Sequence, residues 1–225
     1  MSDAAAIILT APPMPGDPLG AMIKVDGRES VLRCMEMFTN RDGIVQTMVV
    51  IDGKHAEEIK RKIGSHLMFM GIKLVTSGDN WWTQLADAKK VLSADAKHVI
   101  IHDGARPAVP YTDLDALLAF AGKKDAVALA AQVPAPVVKA PKLPGAGWSF
   151  DQPVASLLTP MLFSLSGFEN VVREGKLPSP IELIEGSPLN LRLGTSEPSL
   201  VKAMIGLLPK PKVKAPSSPF EEAQW

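Results

Sequence analysis

Short segments that are apolar throughout, each followed by a stretch with helical spacing, constrain this 225-residue chain more than any other feature. Ala5–Leu9 (AAIIL), Gln46–Ile51 (QTMVVI), Lys73–Val75 (KLV), His98–Ile101 (HVII) and Ala126–Ala131 (AVALAA) read as strands. Helical patterns fall between them: Ser30–Phe38 with Ser30 as N-cap, His55–Ile63, Thr83–Leu92, and Thr112–Ala121 with Thr112 as N-cap. A strand without polar alternation is buried on both faces, so helices must cover both sides of a mostly parallel sheet. The predicted class is α/β, a doubly wound, Rossmann-like sheet. Ligands of such sheets lie beyond the carboxyl ends of the strands. Two loops therefore belong to the mouth, Thr10–Gly20 and Asp103–Pro107.

From Val133 onward, Pro134, Pro136, Pro141 and Pro144 interrupt the pattern and predict a protruding arm, at about 134–151. Order resumes in Val154–Leu158 and Met161–Val172. Ile181–Glu185 and Asn190–Leu193 read as late strands, and Ser199–Leu208 as an amphipathic closing helix. Residues 1–208 are expected to form one domain, followed by a Pro/Lys/Ser-rich tail over 209–225.

Composition removes several classes of function. Lys plus Arg (24) equals Asp plus Glu (24), which leaves no electrostatic footprint for nucleic acid or an anionic membrane. Zero net charge also offers little resistance to self-association, so an oligomer is expected. Cys34 is the single cysteine, which excludes an intrachain disulfide and a cysteine zinc site and suits a small buried hydrophobe. No run approaches the ~18 apolar residues of a membrane span, and the start has no basic signal-peptide region; a cytoplasmic protein is expected. His55, His66, His98 and His102 lack metal-ligand spacing, and no G-x-S-x-G, C-x-x-C or Walker sequence occurs.

The most specific segment is Val99–Val109, VIIHDGARPAV. Asp103, just past a buried strand, can offer carboxylate oxygen to Mg2+, an ion that takes few protein ligands. Arg106 can meet phosphate or brace the loop. The same two residues can equally pin a turn and do no chemistry. The segment resembles the strand and loop of the 2-C-methyl-D-erythritol 4-phosphate cytidylyltransferase family, which reads v-x-H-D-(A/G)-A-R-P. KVDGRESVL (24–32), SFDQPVASLLTPMLF (149–163) and LIEGSPLNLRLGTSEPSLVKAMIGLL (183–208) are similar to further family segments in the same order. The resemblance thus runs from about Ala5 to Leu208.

The resemblance implies a nucleotide-diphospho-sugar transferase type of sheet with an arm that crosses to the partner of a homodimer. It implies a reaction as well: an oxygen of 2-C-methyl-D-erythritol 4-phosphate attacks the α-phosphorus of CTP and expels pyrophosphate, a step towards isoprenoid precursors, with Mg2+ as cofactor. Carried over by position, the catalytic candidates are Asp103, Arg106, Lys139 and Arg192, with Asp103 also the metal ligand. Gly16, Gly20 and Gly78 are the nucleotide-binding candidates.

Departures from the family pattern gather at the same places. The family's loop A-A-G-x-G-x-R-M brings backbone N–H groups and cations to phosphate. The corresponding Thr10–Gly20 has four prolines, Pro12, Pro13, Pro15 and Pro18, none of which donates an N–H. Asp17 adds the wrong charge, and the first cation is Lys24, inside the following strand. The base-reading G-G-x-x-R-x-x-S-V becomes Ser77–Leu85, which lacks the Arg and the Ser and has Trp81 and Trp82 there instead. The pair can form a stacking platform or a hydrophobic plug or dimer contact. Pro136 and Val137 replace an Asp and a Thr beside Lys139, Gln152 replaces an Arg, and the acidic T-D-(D/E)-A segment gives way to Gly175–Pro180. A family member with degraded catalysis is the expectation; a non-catalytic binding or scaffold protein on the same fold is the alternative.

Overall fold

The computed structural model describes residues 3–14, 17, 19–39, 41–132 and 155–208. The expected arm at 134–151 and the tail at 209–225 lie outside them, as do Gly16 and Lys139. In chain order the elements are β1 (Ala4–Leu9), β2 (Lys24–Val25), β3 (Arg28–Glu29), α1 (Ser30–Phe38), β4 (Ile44–Asp52), α2 (Ala56–Phe69), β5 (Lys73–Ser77) and α3 (Trp81–Lys89). There follow β6 (His98–Asp103), α4 (Tyr111–Leu118), β7 (Ala126–Gln132), β8 (Ala155–Ser164), α5 (Leu165–Glu174), β9 (Glu182–Glu185) and α6 (Pro198–Leu207). β2 and β3 form a small hairpin; the other seven strands form one sheet in the order β5-β4-β1-β6-β8-β7-β9.

The expected doubly wound sheet is what folds, and side-chain alternation explains it. Ala4, Ala6 and Ile8 of β1 enter one core with α1, α2 and α4, whereas Ile7 and Leu9 enter a second core with α3 and α5. Every residue of β1 is buried, because each face has its own helical layer. β1 pairs in parallel with β4 on one side and β6 on the other. After β5 the chain returns across β1 to lay down β6, so the loops after β1 and β6 diverge at a topological switch point, where such sheets bind ligands.

The antiparallel member is β8, which runs against both β6 and β7. Its pairing with β7 skips between Ala128↔Met161 and Leu129↔Leu158, which leaves Thr159 and Pro160 in a bulge. Proline has no N–H for a ladder and is tolerated inside a sheet at such bulges.

Three local expectations are corrected. Ser30 is the first helical residue of α1, not its cap: Glu29 precedes the helix, and the Ser30 hydroxyl donates to the Gly104 carbonyl at 2.7 Å. α4 begins at Tyr111 behind Pro110, so Thr112 is within the helix. Asn190–Leu193 is no strand but an irregular segment held to the β6 loop by Leu193 N–H donating to the Ala105 carbonyl, 2.8 Å.

Candidate active site

β6 ends in Asp103, which is 1 % exposed. Its Oδ1 accepts the Ala105 N–H at 2.9 Å, and its Oδ2 accepts Arg192 Nε at 2.7 Å. Arg106 Nε stands further off, 3.9 Å from the same Oδ2, while Arg106 Nη1 donates to the Asn190 carbonyl at 2.7 Å. Burial lowers the Arg106 pKa, which Asp103 opposes and Arg192 reinforces. Sequence spacing suggested an Asp103–Arg106 pair; the fold instead gives Asp103 its close partner from 89 positions away.

Beneath this pair is a chain of hydrogen bonds whose directions are fixed by elimination. The Arg106 carbonyl can only accept, so His102 Nε2 donates to it at 3.1 Å. Nδ1 is then an acceptor, and the Thr159 hydroxyl donates to it at 3.2 Å while accepting the Asp103 N–H at 3.1 Å. The bulge in β8 is what brings Thr159 here. Asn190 Nδ2 donates to the Thr159 carbonyl at 2.7 Å. Burial, with the neighbouring Arg106 charge second, pushes the His102 pKa down to about 3. His102 and Thr159 were not candidates from sequence; a His beside the Asp and a Thr beside a strand proline were the available signals.

The first loop is tied to α3. The Ala11 N–H is accepted by Gln84 Oε1 at 3.2 Å, and the Ala11 carbonyl accepts the Trp81 indole N–H at 2.9 Å. Trp81 is 4 % exposed in the core beside α3, with Trp82 packed partly buried against the same cluster. Of the two readings for these tryptophans, Trp81 is thus a plug. Gly78 lies against α3: a methyl there would stand 2.9 Å from Thr83 Cγ2. Gly20 is pressed on the β6 loop, where an added Cβ would overlap the Leu193 carbonyl and lie 2.8 Å from Ala105 Cβ.

Between the first loop and β4 remains a cleft of about 150 Å³, bordered by Thr10–Pro12, Asp52, His55 and Asp79. Small-molecule sites commonly enclose about 300–1,000 Å³. Lys54 is turned to Asp79, 2.8 Å away, and its hydrogen bond, with its charge second, holds that carboxyl below the ordinary range. No group of three or more His, Cys, Asp or Glu able to hold a metal ion occurs among the described residues. No helix among them is long and apolar enough to cross a membrane.

The 2-C-methyl-D-erythritol 4-phosphate cytidylyltransferase (IspD) family model matches residues 17–180 of the chain. Solved structures agree in fold. The 4-diphosphocytidyl-2C-methyl-D-erythritol synthase of Anaerococcus prevotii superposes with a TM-score of 0.68 at 18% identity, covering 90% of this chain and 98% of that one. The 2-C-methyl-D-erythritol 4-phosphate cytidylyltransferase of Francisella tularensis gives 0.66 at 17% identity over 89% and 97%. That of Thermus thermophilus gives 0.64 at 16% over 90% and 97%.

Proposed function

The chain belongs to the 2-C-methyl-D-erythritol 4-phosphate cytidylyltransferase family, and from that premise we propose that it keeps the nucleotidyltransferase fold with cytidylyl transfer from CTP weakened or lost. The observation that carries this reading is the state of the first loop. Both backbone groups of Ala11 are bound inside the protein by Gln84 and Trp81. Polyphosphate recognition needs free N–H groups and nearby cations, and this loop has prolines and Asp17 in their place.

Asp103 supports the same reading. Each carboxylate oxygen already has an internal donor, and the group is closed to solvent. Mg2+ keeps several of its waters when protein-bound, so this donor set does not fit it, and no step is routed through the ion. Asp103, Arg106 and Arg192 then act as a brace joining β6 to residues 190–193, and Gly20 and Gly78 as packing glycines. Removing one charge-stabilising group commonly costs about 10²–10³ in rate; here several are displaced together.

Isothermal titration of the full chain with CTP and Mg2+ is the test. Undetectable or millimolar binding is expected, and micromolar affinity would overturn the reading.

The role that remains is that of a homodimeric binding or scaffold protein. Leu183, 51% exposed, lines a cleft together with Gln132 and Ala155, the residues on either side of 133–154, which favours a covered surface there. Sedimentation at about 50 µM, a concentration that already populates weak interfaces, is expected to give a dimer. A monomer at that concentration removes this part of the proposal.

A further inference from the structure

The cleft at the mouth of the sheet has the wrong charge for a phosphate ester. It lies beyond the carboxyl ends of β5, β4 and β1, between the first loop, Asp52 at the end of β4 and Asp79 after β5. Its walls are largely apolar, with Ala11, Pro12, Met22 and Ile59 among them. Thr10 turns its hydroxyl into the protein, donating to the Val50 carbonyl at 2.9 Å. Among the described residues, no Lys or Arg lines the cleft.

Its two carboxylates differ in how they are balanced. Asp79 has the Lys54 ammonium 2.8 Å away. Asp52 is half-buried and makes no ion pair among the described residues. Its Oδ1 accepts the backbone N–H of Lys54 at 2.9 Å, which holds the turn after β4 but does not cancel the charge. A carboxylate beside apolar walls attracts a cation more strongly than it would in open water, and repels an anion to the same degree. Volume sets the other limit. The cleft has about 150 Å³, and an apolar cavity of about that size takes up benzene. Charge and room together select a compact apolar body that carries one ammonium group.

We propose that this cleft is a binding site for a small organic cation, a primary amine with an apolar body of about benzene size, whose ammonium meets Asp52. The proposal rests on the functional reading above, in which the mouth no longer takes CTP. It goes further by naming the class of ligand that the altered walls accept. Asp52 supplies the specificity: a neutral analogue forfeits the charge-assisted hydrogen bond, and an anionic one meets a like charge.

The test titrates three probes of one shape, benzylamine, benzyl alcohol and benzoate, into the full chain and follows backbone amide shifts by NMR at neutral pH. Benzylamine is expected to give saturable shifts centred on Ala11 and Asp52. Benzyl alcohol is expected to bind at least tenfold more weakly, and benzoate not to saturate. Asp52→Asn, which keeps an acceptor for the Lys54 N–H, is expected to bring benzylamine down to the level of the alcohol. Should that variant fail to fold, the comparison of amine with alcohol on the parent still decides the question. Equal affinity for amine and alcohol would overturn the proposal, as would shifts centred elsewhere or a preference for the amine that survives Asp52→Asn. Micromolar CTP binding by the parent would instead defeat the functional reading, so the two failures are read from different titrations.

Discussion

Asp103→Ala is expected to destabilise the fold by about 3–5 kcal/mol, the usual cost of removing one partner from a buried ion pair. The substitution leaves Arg192, itself buried, without its carboxylate, and also strips the Ala105 N–H of its acceptor. Arg192→Ala is expected to cost a similar amount, and the double variant much less than the sum, since the second removal discards a charge already unpaired. The cycle between Asp103 and Arg106 is expected to show weaker coupling, because their closest approach is 3.9 Å against 2.7 Å for Arg192. Urea unfolding of the single and double variants measures all of this. An Asp103→Ala protein with unchanged stability and a lost metal-dependent activity would return Asp103 to catalysis and dismiss the brace.

The second large effect is acid lability centred on His102. The folded protein holds this imidazole neutral, with a pKa of about 3 against an ordinary 6.5, chiefly through burial and then through the Arg106 charge. On acidification the unfolded chain therefore takes up the proton first. The stabilisation is complete above about pH 6.5 and declines as pH falls towards 3, at about 1.4 kcal/mol per unit. His102→Gln removes the ionisation and should flatten this part of the profile, although it disturbs the bonds to Thr159 and Arg106. Unfolding free energies between pH 7 and pH 4, parent minus variant, isolate the histidine from carboxylates common to both. Parallel profiles would show that His102 titrates normally in the folded state.

Both effects come from a layer of polar contacts under the mouth, and this layer was the least legible part of the chain. The strands of the parallel region could be read because their burial on both faces demands uninterrupted apolar runs, as in Ala4–Leu9 and Val99–Ile101. β8 was legible only in pieces, because Thr159 and Pro160 interrupt its apolar run with the residues that form the bulge. Asn190–Leu193 looked like a strand from its alternation of Leu with polar residues; those polar residues point to the site, not to solvent. Ser30 looked like a cap because its position at a helix start is the usual place for one, yet Gly104 offered its hydroxyl a buried carbonyl.

The altered make-up of the first loop was visible in composition, since prolines cannot donate N–H groups and Asp17 carries negative charge. How the altered loop is held was not visible, because Trp81 and Gln84 reach it from about 70 residues away. By itself the sequence determined the class of sheet, the place of its mouth and the family, all of which depend on local periodicity or on the order of short motifs. Tertiary structure alone decided that Asp103 belongs to Arg192, that Thr159 and His102 share its network, and that Trp81 is a plug. Those outcomes depend on which side chains the crossing of β1, β6 and β8 brings within about 3 Å, the distance at which a hydrogen bond forms. No local pattern encodes which residues will meet there, because the partners come from separate elements placed side by side by the sheet.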